Sequence, residues 1–425
     1  MENFKISIII PSLNSITYVC ECVDSVLNQT LKDIEIICVD AGSTDGTLEV
    51  LREYEKNDER LKVIVSDKKS YGYQMNLGIK EAKGEYLGIV ESDDYIKENM
   101  YENLYNIAIE KKCDIVKGDM LNFWDKEERV YEYRLLNWTE VLYNRILNFK
   151  TDKRILTETN IINPSGIYKL DFIKKYNILC NETPGSAFQD TSFWFQLQVL
   201  ASSIFLVKEA YYYYRQDNIN SSCNSLDKIY CICEEYDFIE QFVLKNKFYD
   251  ILRIVYYLRY RGYRWNLYRI HSSYRLEFLY KFQKDFKRLK TISENSFSLF
   301  KKWEIEQLQE IMSNPKKFYN EVARYKKGAI EFMENTPEYK IGKQAIICKS
   351  RKDFVELFRL INTNTTKPNG NLKKKYCDYY EGQSYKEHLS YKIGKILLSF
   401  KSNYFLILFI PFQILFCYIK FKLKG

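Results

Sequence analysis

The chain has 425 residues, of which 46% are hydrophobic and 28% are charged, and its mean hydropathy is −0.39. This length predicts two or three domains, and the composition excludes general disorder, a fibrous architecture and a polytopic membrane protein. The net charge of +8 is concentrated at one end, because residues 341–425 contain 16 Lys and Arg against 5 Asp and Glu, whereas the first 340 residues contain 48 against 51.

The first 120 residues alternate between strand and helix patterns. β-Branched apolar runs predict strands at 5–10, 34–39, 61–65, 86–90 and 114–117. Apolar residues at helical spacing predict helices at 17–28, 47–56, 74–82 and 96–111. Strands that alternate with helices of this length predict an α/β fold, in which helices cover both faces of a mostly parallel sheet.

The rest of the chain is predicted to be largely helical. Phe123, Trp124 and Trp138 suggest packed connecting helices within 121–160, and a short strand at 165–169 precedes a helix at 190–200. Helical and strongly aromatic patterns then run on from about residue 225. We therefore expect a first domain at 1–224, an α-helical domain at 225–361, a polar linker at 362–371 and a basic, hydrophobic tail at 372–425.

The tail predicts a contact with a membrane surface. Residues 404–419 are apolar apart from Gln413, contain Pro411, and are flanked by lysines on both sides. This run is shorter than the roughly 20 residues that a membrane-spanning helix needs. We expect an interfacial or re-entrant anchor, and the alternative is a helix docked on the protein's own core. No signal sequence opens the chain, which favours a cytoplasmic protein at the inner face of the cytoplasmic membrane.

Several classes of protein are disfavoured. Outside the tail the chain is slightly acidic and contains no nucleic-acid recognition module, so we expect no nucleic-acid partner. Only two histidines are present, which disfavours a Ser-His-Asp triad and a histidine-based metal site. The eleven cysteines lack paired zinc-ligand spacing and indicate free thiols in a reducing compartment. The oligomeric state is left open.

Polar residues collect where the predicted strands end, which is where open α/β sheets bind ligands. The sequence there is PSLN at 11–14, DAGSTD at 40–45 and ESDD at 91–94. The last run places three carboxylates within four residues, and their mutual repulsion falls if a divalent cation lies between them. Mg²⁺ and Mn²⁺ suit carboxylate and phosphate oxygens. The alternative is a solvated acidic helix N-terminus.

Several motifs, in order, resemble the nucleotide-sugar domain of family 2 glycosyltransferases. They are PSLN at 11–14, DSVLNQT at 24–30, VDAGSTDGT at 39–47, NLG at 76–78 and AKGEY at 82–86, which leads into ESDD. The resemblance covers about the first 120 residues and continues more loosely to about residue 222. It implies the GT-A fold, with a donor half at 1–120 and an acceptor half at 121–224.

The resemblance implies a donor site in the first half. The D-x-D motif of the family falls on 91–93, so Asp93 is the expected ligand of a Mn²⁺ or Mg²⁺ ion on the donor diphosphate, and Asp94 is an extra carboxylate. The residues expected at the donor nucleotide are Pro11, Ser12, Asn14, Asp40, Ser43, Glu91, Ser92 and Asp93. Leu13 and Ala41 stand where the family often has a Tyr that stacks on the base and an Asp that reads uracil. A UDP-sugar is therefore only the first expectation.

The resemblance also implies an acceptor site. The segment 182–194 resembles the second acidic motif, usually Glu-Asp, whose Asp is the general base on the acceptor hydroxyl. That role falls on Asp190, with a plain helix N-cap as the alternative, and Gln189 replaces the Glu. Trp194 is a further candidate. Arg215 is another, since it can reach the diphosphate, and a structural ion pair is the alternative for it.

Together these implications describe an inverting, metal-dependent glycosyltransferase. It would move a sugar from a nucleotide-sugar to a hydroxyl of a growing surface glycan or glycolipid, as in capsule or lipooligosaccharide assembly. A nucleotide-sugar pyrophosphorylase or other nucleotidyltransferase is an alternative, although residues 11–16 lack the usual Gly-rich, basic phosphate loop. A non-catalytic glycosyltransferase-like scaffold is the other alternative, suggested by Glu91, Ala41 and Gln189.

Overall fold

A computed structural model describes residues 4–218, 221, 226, 228–290, 297–325, 327–348, 350–363, 376–399 and 418. The chain divides into two compact units, Met1–Arg259 and Tyr260–Gly425. The predicted tail segment 404–419 lies outside the described residues apart from Tyr418, and so does the predicted linker from 364 onward. The domain limits expected from the sequence therefore stay predictions.

The first unit is built on a mixed ten-stranded sheet. Its strands are β1 Ile6–Ser12, β2 Ile34–Asp40, β3 Leu61–Val65, β4 Tyr86–Ile89, β5 Tyr95–Ile96, β6 Ile115–Trp124, β7 Val130–Arg134, β8 Ile146–Leu147, β9 Gly166–Lys169 and β10 Ile204–Arg215. The strand order is β3-β2-β1-β4-β9-β6-β10-β5, with β7 beside β6 and β8 beside β10. The strands β3, β2, β1 and β4 are parallel, whereas β9 is antiparallel to both of its neighbours. The α/β class is confirmed, and only its first half is uniformly parallel.

Eight helices of the first unit pack around this sheet or against one another. They are α1 Val19–Leu27, α2 Thr47–Asn57, α3 Tyr71–Glu81, α4 Met100–Lys111, α5 Arg154–Thr157, α6 Leu170–Tyr176, α7 Gln189–Leu200 and α8 Cys231–Lys245. Every residue of β1 is buried, which is typical of a central strand whose two faces are both covered. The pairing of Ser12 with Asp40 brings the carboxyl ends of β1 and β2 together at one edge.

The prediction of connecting helices within 121–160 is wrong at its start. Phe123 and Trp124 end the long strand β6, which pairs with β7 from Met120 opposite Arg134 to Trp124 opposite Val130. The two strands form a hairpin in which β7 is short and largely exposed, and this strand was not predicted from the sequence. The helix predicted at 96–111 begins later, at Met100, because Tyr95–Ile96 pairs with β10.

Every element described after β10 is helical, which confirms a helical C-terminal region. After α8 the helices are α9 Leu252–Arg269, α10 Arg275–Lys290, α11 Lys302–Ser313, α12 Pro315–Phe318, α13 Ala329–Glu334, α14 Pro337–Ile347, α15 Arg351–Thr363, α16 Tyr379–Ser384 and α17 Leu389–Ser399. The second unit has an aromatic core in which Tyr263 packs edge-on against Phe282, and its hydroxyl donates to Asp285 at 2.6 Å. None of the helices in the described ranges is long and apolar enough to cross a membrane.

Candidate active site

Asp40 holds the loop that follows β2. Its fully buried carboxylate accepts hydrogen bonds from the hydroxyls of Ser12 and Ser43, at 2.9 and 2.6 Å, and from two backbone N–H groups of the loop, at 2.7 and 2.9 Å. The Ser43 hydroxyl oxygen accepts from the Asn14 N–H at 2.8 Å, and the Asn14 side chain accepts from the Thr44 N–H at 2.9 Å. The structure thus brings these expected donor residues into one cross-linked loop, and the Asp40 carboxylate is already occupied within it.

The two positions that depart from the family pattern lie at opposite extremes of exposure. The Leu13 side chain is 42% exposed, whereas Ala41 is 2% exposed and its N–H donates to the Ser12 carbonyl. Leu13 can offer a bound base an apolar contact but no aromatic ring, and the buried methyl of Ala41 offers it no hydrogen bond. Pro11 is buried in β1, opposite Val39.

Glu91 follows β4 and is linked to two other elements. Its Oε1 accepts from the Tyr71 hydroxyl at 2.7 Å, and its N–H donates to the Tyr212 hydroxyl oxygen at 3.0 Å. Burial raises the pKa of Glu91 to about 8, and the negative charges of Asp93 and Asp190 act in the same direction. Carboxylates from the β4 loop and from α7 are therefore within electrostatic reach of one another. Ser92 lies half-exposed beside Glu91.

Asp94 is turned into the protein. It is 1% exposed, and its two oxygens accept from the Tyr212 hydroxyl at 2.7 Å and from the Arg215 N–H at 2.8 Å. Burial, reinforced by the charge of Asp93, raises the pKa of Asp94 well above its ordinary value. We therefore assign Asp94 to holding the acidic loop against β10 and do not retain it as a ligand.

Arg215 forms structural ion pairs, which was the alternative role given for it in the sequence analysis. Its side chain is 2% exposed and pairs with Glu21 at 3.0 Å, with Asp217 at 3.5 Å and with Asp125. Its Nε donates to the Asp93 carbonyl at 2.8 Å. Because three carboxylates already neutralise the guanidinium, we do not retain Arg215 as a diphosphate ligand.

Asp93 is a half-exposed carboxylate of the acidic loop, and its Oδ2 accepts from the Asn218 side chain at 2.7 Å. Within the described part of the chain, no three His, Cys, Asp or Glu side chains form a ready-made metal cage. Mg²⁺ at phosphate sites is commonly held by one or two carboxylates and takes its other ligands from substrate phosphates and water. The residues present fit an ion of that kind, for which Asp93 is the expected protein ligand.

Asp190 lies half-buried in the first turn of α7, where the helix N-terminus favours a carboxylate. Phe188, with φ of +68°, turns the chain into the helix. Burial raises the pKa of Asp190 to about 6, against the opposing effect of the backbone N–H groups of Asp190 and Thr191 and of the Lys117 charge. Such a carboxylate is ionised at neutral pH and still basic enough to accept a proton.

Gln189 organises the loop that precedes Asp190. It is 1% exposed, and its Nε2 donates to the Thr183 carbonyl at 3.1 Å, to the Thr183 hydroxyl oxygen at 3.0 Å and to the Gly185 carbonyl at 3.1 Å. Its Oε1 accepts from the Ala187 N–H at 2.6 Å. This pattern uses both ends of the amide, and a glutamate could supply only the acceptor end.

Two residues that the sequence analysis did not single out support the site. Tyr71 joins both loops, because its hydroxyl bonds Glu91 and its N–H donates to the Gly185 carbonyl at 2.9 Å. Glu235, fully buried on α8, accepts from the Ser192 N–H at 3.1 Å and from the Asn181 side chain at 2.9 Å. Their partners are at least 20 residues away along the chain, so no local pattern could have identified them.

One sequence candidate lies away from the site surface. Trp194 is 2% exposed within α7, so its ring cannot stack on a bound sugar, and we do not retain it. Of the expected acceptor-side loop, Asn220 and Ser222 lie outside the described residues.

Comparison with known proteins agrees with this geometry. Residues 7–169 match the family model described as Glycosyl transferase family 2. The glycosyltransferase GlyG of Streptococcus pneumoniae serotype 4 is 36% identical over 218 residues, which cover 50% of this chain and 70% of GlyG. The poly(ribitol-phosphate) beta-glucosyltransferase of Bacillus spizizenii is 45% identical over 120 residues, which cover 27% of this chain and 19% of that enzyme.

A solved structure confirms the fold. Residues 1–349 of S. aureus TarS, crystallised in complex with UDP-GlcNAc, align with a TM-score of 0.55 at 18% identity, covering 74% of this chain and 90% of that one. This likeness confirms the GT-A type of α/β fold expected from the sequence. The family match and the identity to GlyG show that the chain is a glycosyltransferase and belongs to family 2.

Proposed function

We propose that this enzyme transfers a sugar from a nucleotide-sugar, with a UDP-sugar as the first candidate, to a hydroxyl of a bacterial surface polymer. The observation that carries the proposal is the convergence of the β4 loop and the loop before Asp190, which Tyr71 joins through its bonds to Glu91 and to Gly185. The charges of Asp93 and Asp190 accordingly both raise the pKa of Glu91. Carboxylates suited to a donor diphosphate site and to an acceptor site thus meet at one end of the sheet.

The donor half supplies a preformed loop and one exposed carboxylate. The loop held by Asp40 places Ser12, Asn14 and Ser43 beside the end of β1, where the nucleoside is expected to bind. Asp93 would hold a Mg²⁺ or Mn²⁺ ion, which when bound neutralises charge on the departing diphosphate. The hydrogen bonds of Asp94 and Arg215 keep the backbone of Asp93 in place.

The acceptor half supplies the base. With a pKa of about 6, Asp190 is largely ionised at neutral pH and accepts the proton of the acceptor hydroxyl as that oxygen attacks the anomeric carbon. The hydroxyl attacks from the face opposite the leaving diphosphate, so a single displacement inverts the anomeric configuration. This proposal needs no nucleophilic side chain.

We infer the substrates from the names of similar proteins. The TarS structure contains UDP-GlcNAc, and a relative carries the name poly(ribitol-phosphate) beta-glucosyltransferase. UDP-N-acetylglucosamine and UDP-glucose are therefore the first donors to test, and poly(ribitol phosphate) the first acceptor. We further propose that the basic tail at 372–425 holds the enzyme at the inner face of the membrane, which co-flotation of the full chain and of a truncation at residue 388 with anionic vesicles would test.

Calorimetric titration with UDP, with and without Mn²⁺, tests the donor site directly. We expect Mn²⁺ to increase the affinity of the wild type for UDP. In Asp93→Asn we expect this Mn²⁺-dependent increase in affinity to be at least tenfold smaller. Asp171→Asn, the same change at an exposed position on α6, serves as the matched control and should bind as the wild type does. If Asp93→Asn binds UDP and Mn²⁺ as tightly as the wild type does, the proposed metal ligand is wrong.

A further inference from the structure

Lys117 is a buried cation that has no role in the proposed reaction described above. It lies on β6, is 1% exposed, and forms no ion pair with a carboxylate among the described residues. Burying an ammonium group without such a partner is costly. Burial lowers the pKa of Lys117 to about 7, and the charge of Asp190 opposes that shift. A lysine retained at this cost calls for a role beyond packing.

The contacts of Lys117 lead to the segment 162–165. Its ammonium donates to the Ile162 carbonyl and lies over the Tyr168 ring, 5.7 Å from the centroid. The Tyr168 hydroxyl donates to the Asn163 carbonyl at 2.5 Å. Gly166, opposite Lys117 in the sheet, leaves room for the lysine stem, since a Cβ there would lie 2.7 Å from Lys117 Cγ.

The same segment contacts the first turn of α7. The Asn163 side chain donates to the Asp190 carbonyl at 2.8 Å. Ser165 has φ of +70°, a left-handed conformation that a serine adopts only where its surroundings impose it. The side-chain oxygens of Asn163 and Ser165 are buried with no hydrogen-bond partner in the described part of the chain. The segment is thus strained, and Lys117 and Tyr168 hold it from the sheet side.

We propose that Lys117 is a positioning residue for the general base: it clamps the segment 162–165, whose Asn163 side chain bonds the Asp190 carbonyl, against α7, and it brings a buried positive charge to that side of the helix. The inference rests on the proposed function, because it assumes that Asp190 takes the acceptor proton. The only positive charge acting on Asp190 in the described structure is that of Lys117. The other titratable groups that face Asp190 are neutral or acidic; they are Glu91 after β4, Tyr71 on α3, Cys180 before α7 and Glu235 on α8.

Lys117→Met separates this role from a structural one. Methionine fills a similar volume without an ammonium to desolvate, so we expect the variant to melt at or above the wild-type temperature. Without the positive charge, the acid limb of the pH profile of kcat/KM should move to higher pH, by up to about one pH unit. Lys208→Met on the neighbouring strand β10, which loses only a surface pair with Glu140, should match the wild type in both measurements.

Lys117→Gln gives a second variant in which a hydrogen-bond donor to Ile162 remains and the charge is lost. We expect it also to shift the acid limb upward, measured as UDP release from UDP-glucose or UDP-N-acetylglucosamine with Mn²⁺. An acid limb that stays at the wild-type pH in whichever variant folds would overturn the proposal, even if the rate falls. Asp190→Asn in the same assay tests the proposed function separately from the role of Lys117. Undiminished turnover by that variant would reject the proposed function itself.

Discussion

Restoring the residue that the family usually has at position 189 should damage this enzyme. Gln189→Glu replaces an amide that donates to the carbonyls of Thr183 and Gly185 with a carboxylate that faces those same oxygens. Each lost hydrogen bond costs about 0.5–1.5 kcal/mol, and a carboxylate held in a buried position against the Thr183 carbonyl adds about 1–3 kcal/mol, although the Gly185 carbonyl still accepts from the Tyr71 N–H. Some of this cost is relieved by small movements of the loop, so we expect about 2–4 kcal/mol in total.

The cost falls on the loop that leads into Asp190. If all of it opposes the correct placement of the base, the transfer rate falls by about 30- to 1,000-fold. UDP binding should change little, because the hydrogen bonds of the Gln189 side chain in the described structure go to residues 183–187 and not to the loop held by Asp40. Steady-state UDP release and calorimetric UDP titration measure the two effects separately.

Two comparison variants make the result specific. Gln189→Met removes the same hydrogen bonds without adding charge, and we expect a smaller loss of rate. Gln309→Glu makes the identical chemical change at an exposed position on α11 and should behave as the wild type does. Wild-type stability and turnover in Gln189→Glu would refute the reasoning.

Three further predictions concern the rest of the site. Asp40→Ala should weaken UDP binding, measured by titration, because the loop loses four hydrogen bonds. Asp40→Asn keeps an acceptor for the backbone N–H groups and should bind UDP nearly normally. A large loss of UDP affinity in Asp40→Asn would instead indicate a charged contact with the nucleotide. Arg215→Met should lower stability by about 1–3 kcal/mol in denaturant unfolding, since the Asp93 carbonyl loses its donor and three partly exposed carboxylates lose their partner, and Mn²⁺-dependent UDP binding should fall with it; unchanged values would refute this role. Wild-type kcat/KM should rise with pH through a midpoint near 6, because only ionised Asp190 accepts a proton, and a flat profile between pH 5 and 8 would contradict that assignment.

Local patterns in the sequence were sufficient to predict the framework of the first unit. The strands that end at Ser12, Asp40 and Ile89 are short, apolar and separated by helical spacing, so these patterns alone locate the edge at which polar residues collect. The acidic run after β4 and the helix start at Asp190 were found in the same way. The strand at 165–169 was also predicted, although its antiparallel direction was not, and β7 was missed because it is short and largely exposed.

The functions of individual polar side chains could not be predicted in this way. Asp40 was expected at the nucleotide, and its bonds to its own loop, from two serine hydroxyls and two N–H groups, could not be predicted from the local pattern. Arg215 is neutralised by Glu21, which is 194 residues away along the chain. Glu235 bonds α7 directly, whereas Lys117 is connected to it through the segment 162–165, and only the three-dimensional structure shows either connection.

The central claim is that Asp190 takes the proton from the acceptor while the acidic loop after β4 holds the donor. The most direct test is Asp190→Asn, measured for UDP release in the presence of poly(ribitol phosphate) or whichever acceptor supports turnover, together with calorimetric UDP–Mn²⁺ binding. The account predicts a loss of turnover of about 10²–10⁴-fold with donor affinity within a few-fold of the wild type. Turnover near the wild-type rate, or a loss explained entirely by weaker donor binding, would contradict it.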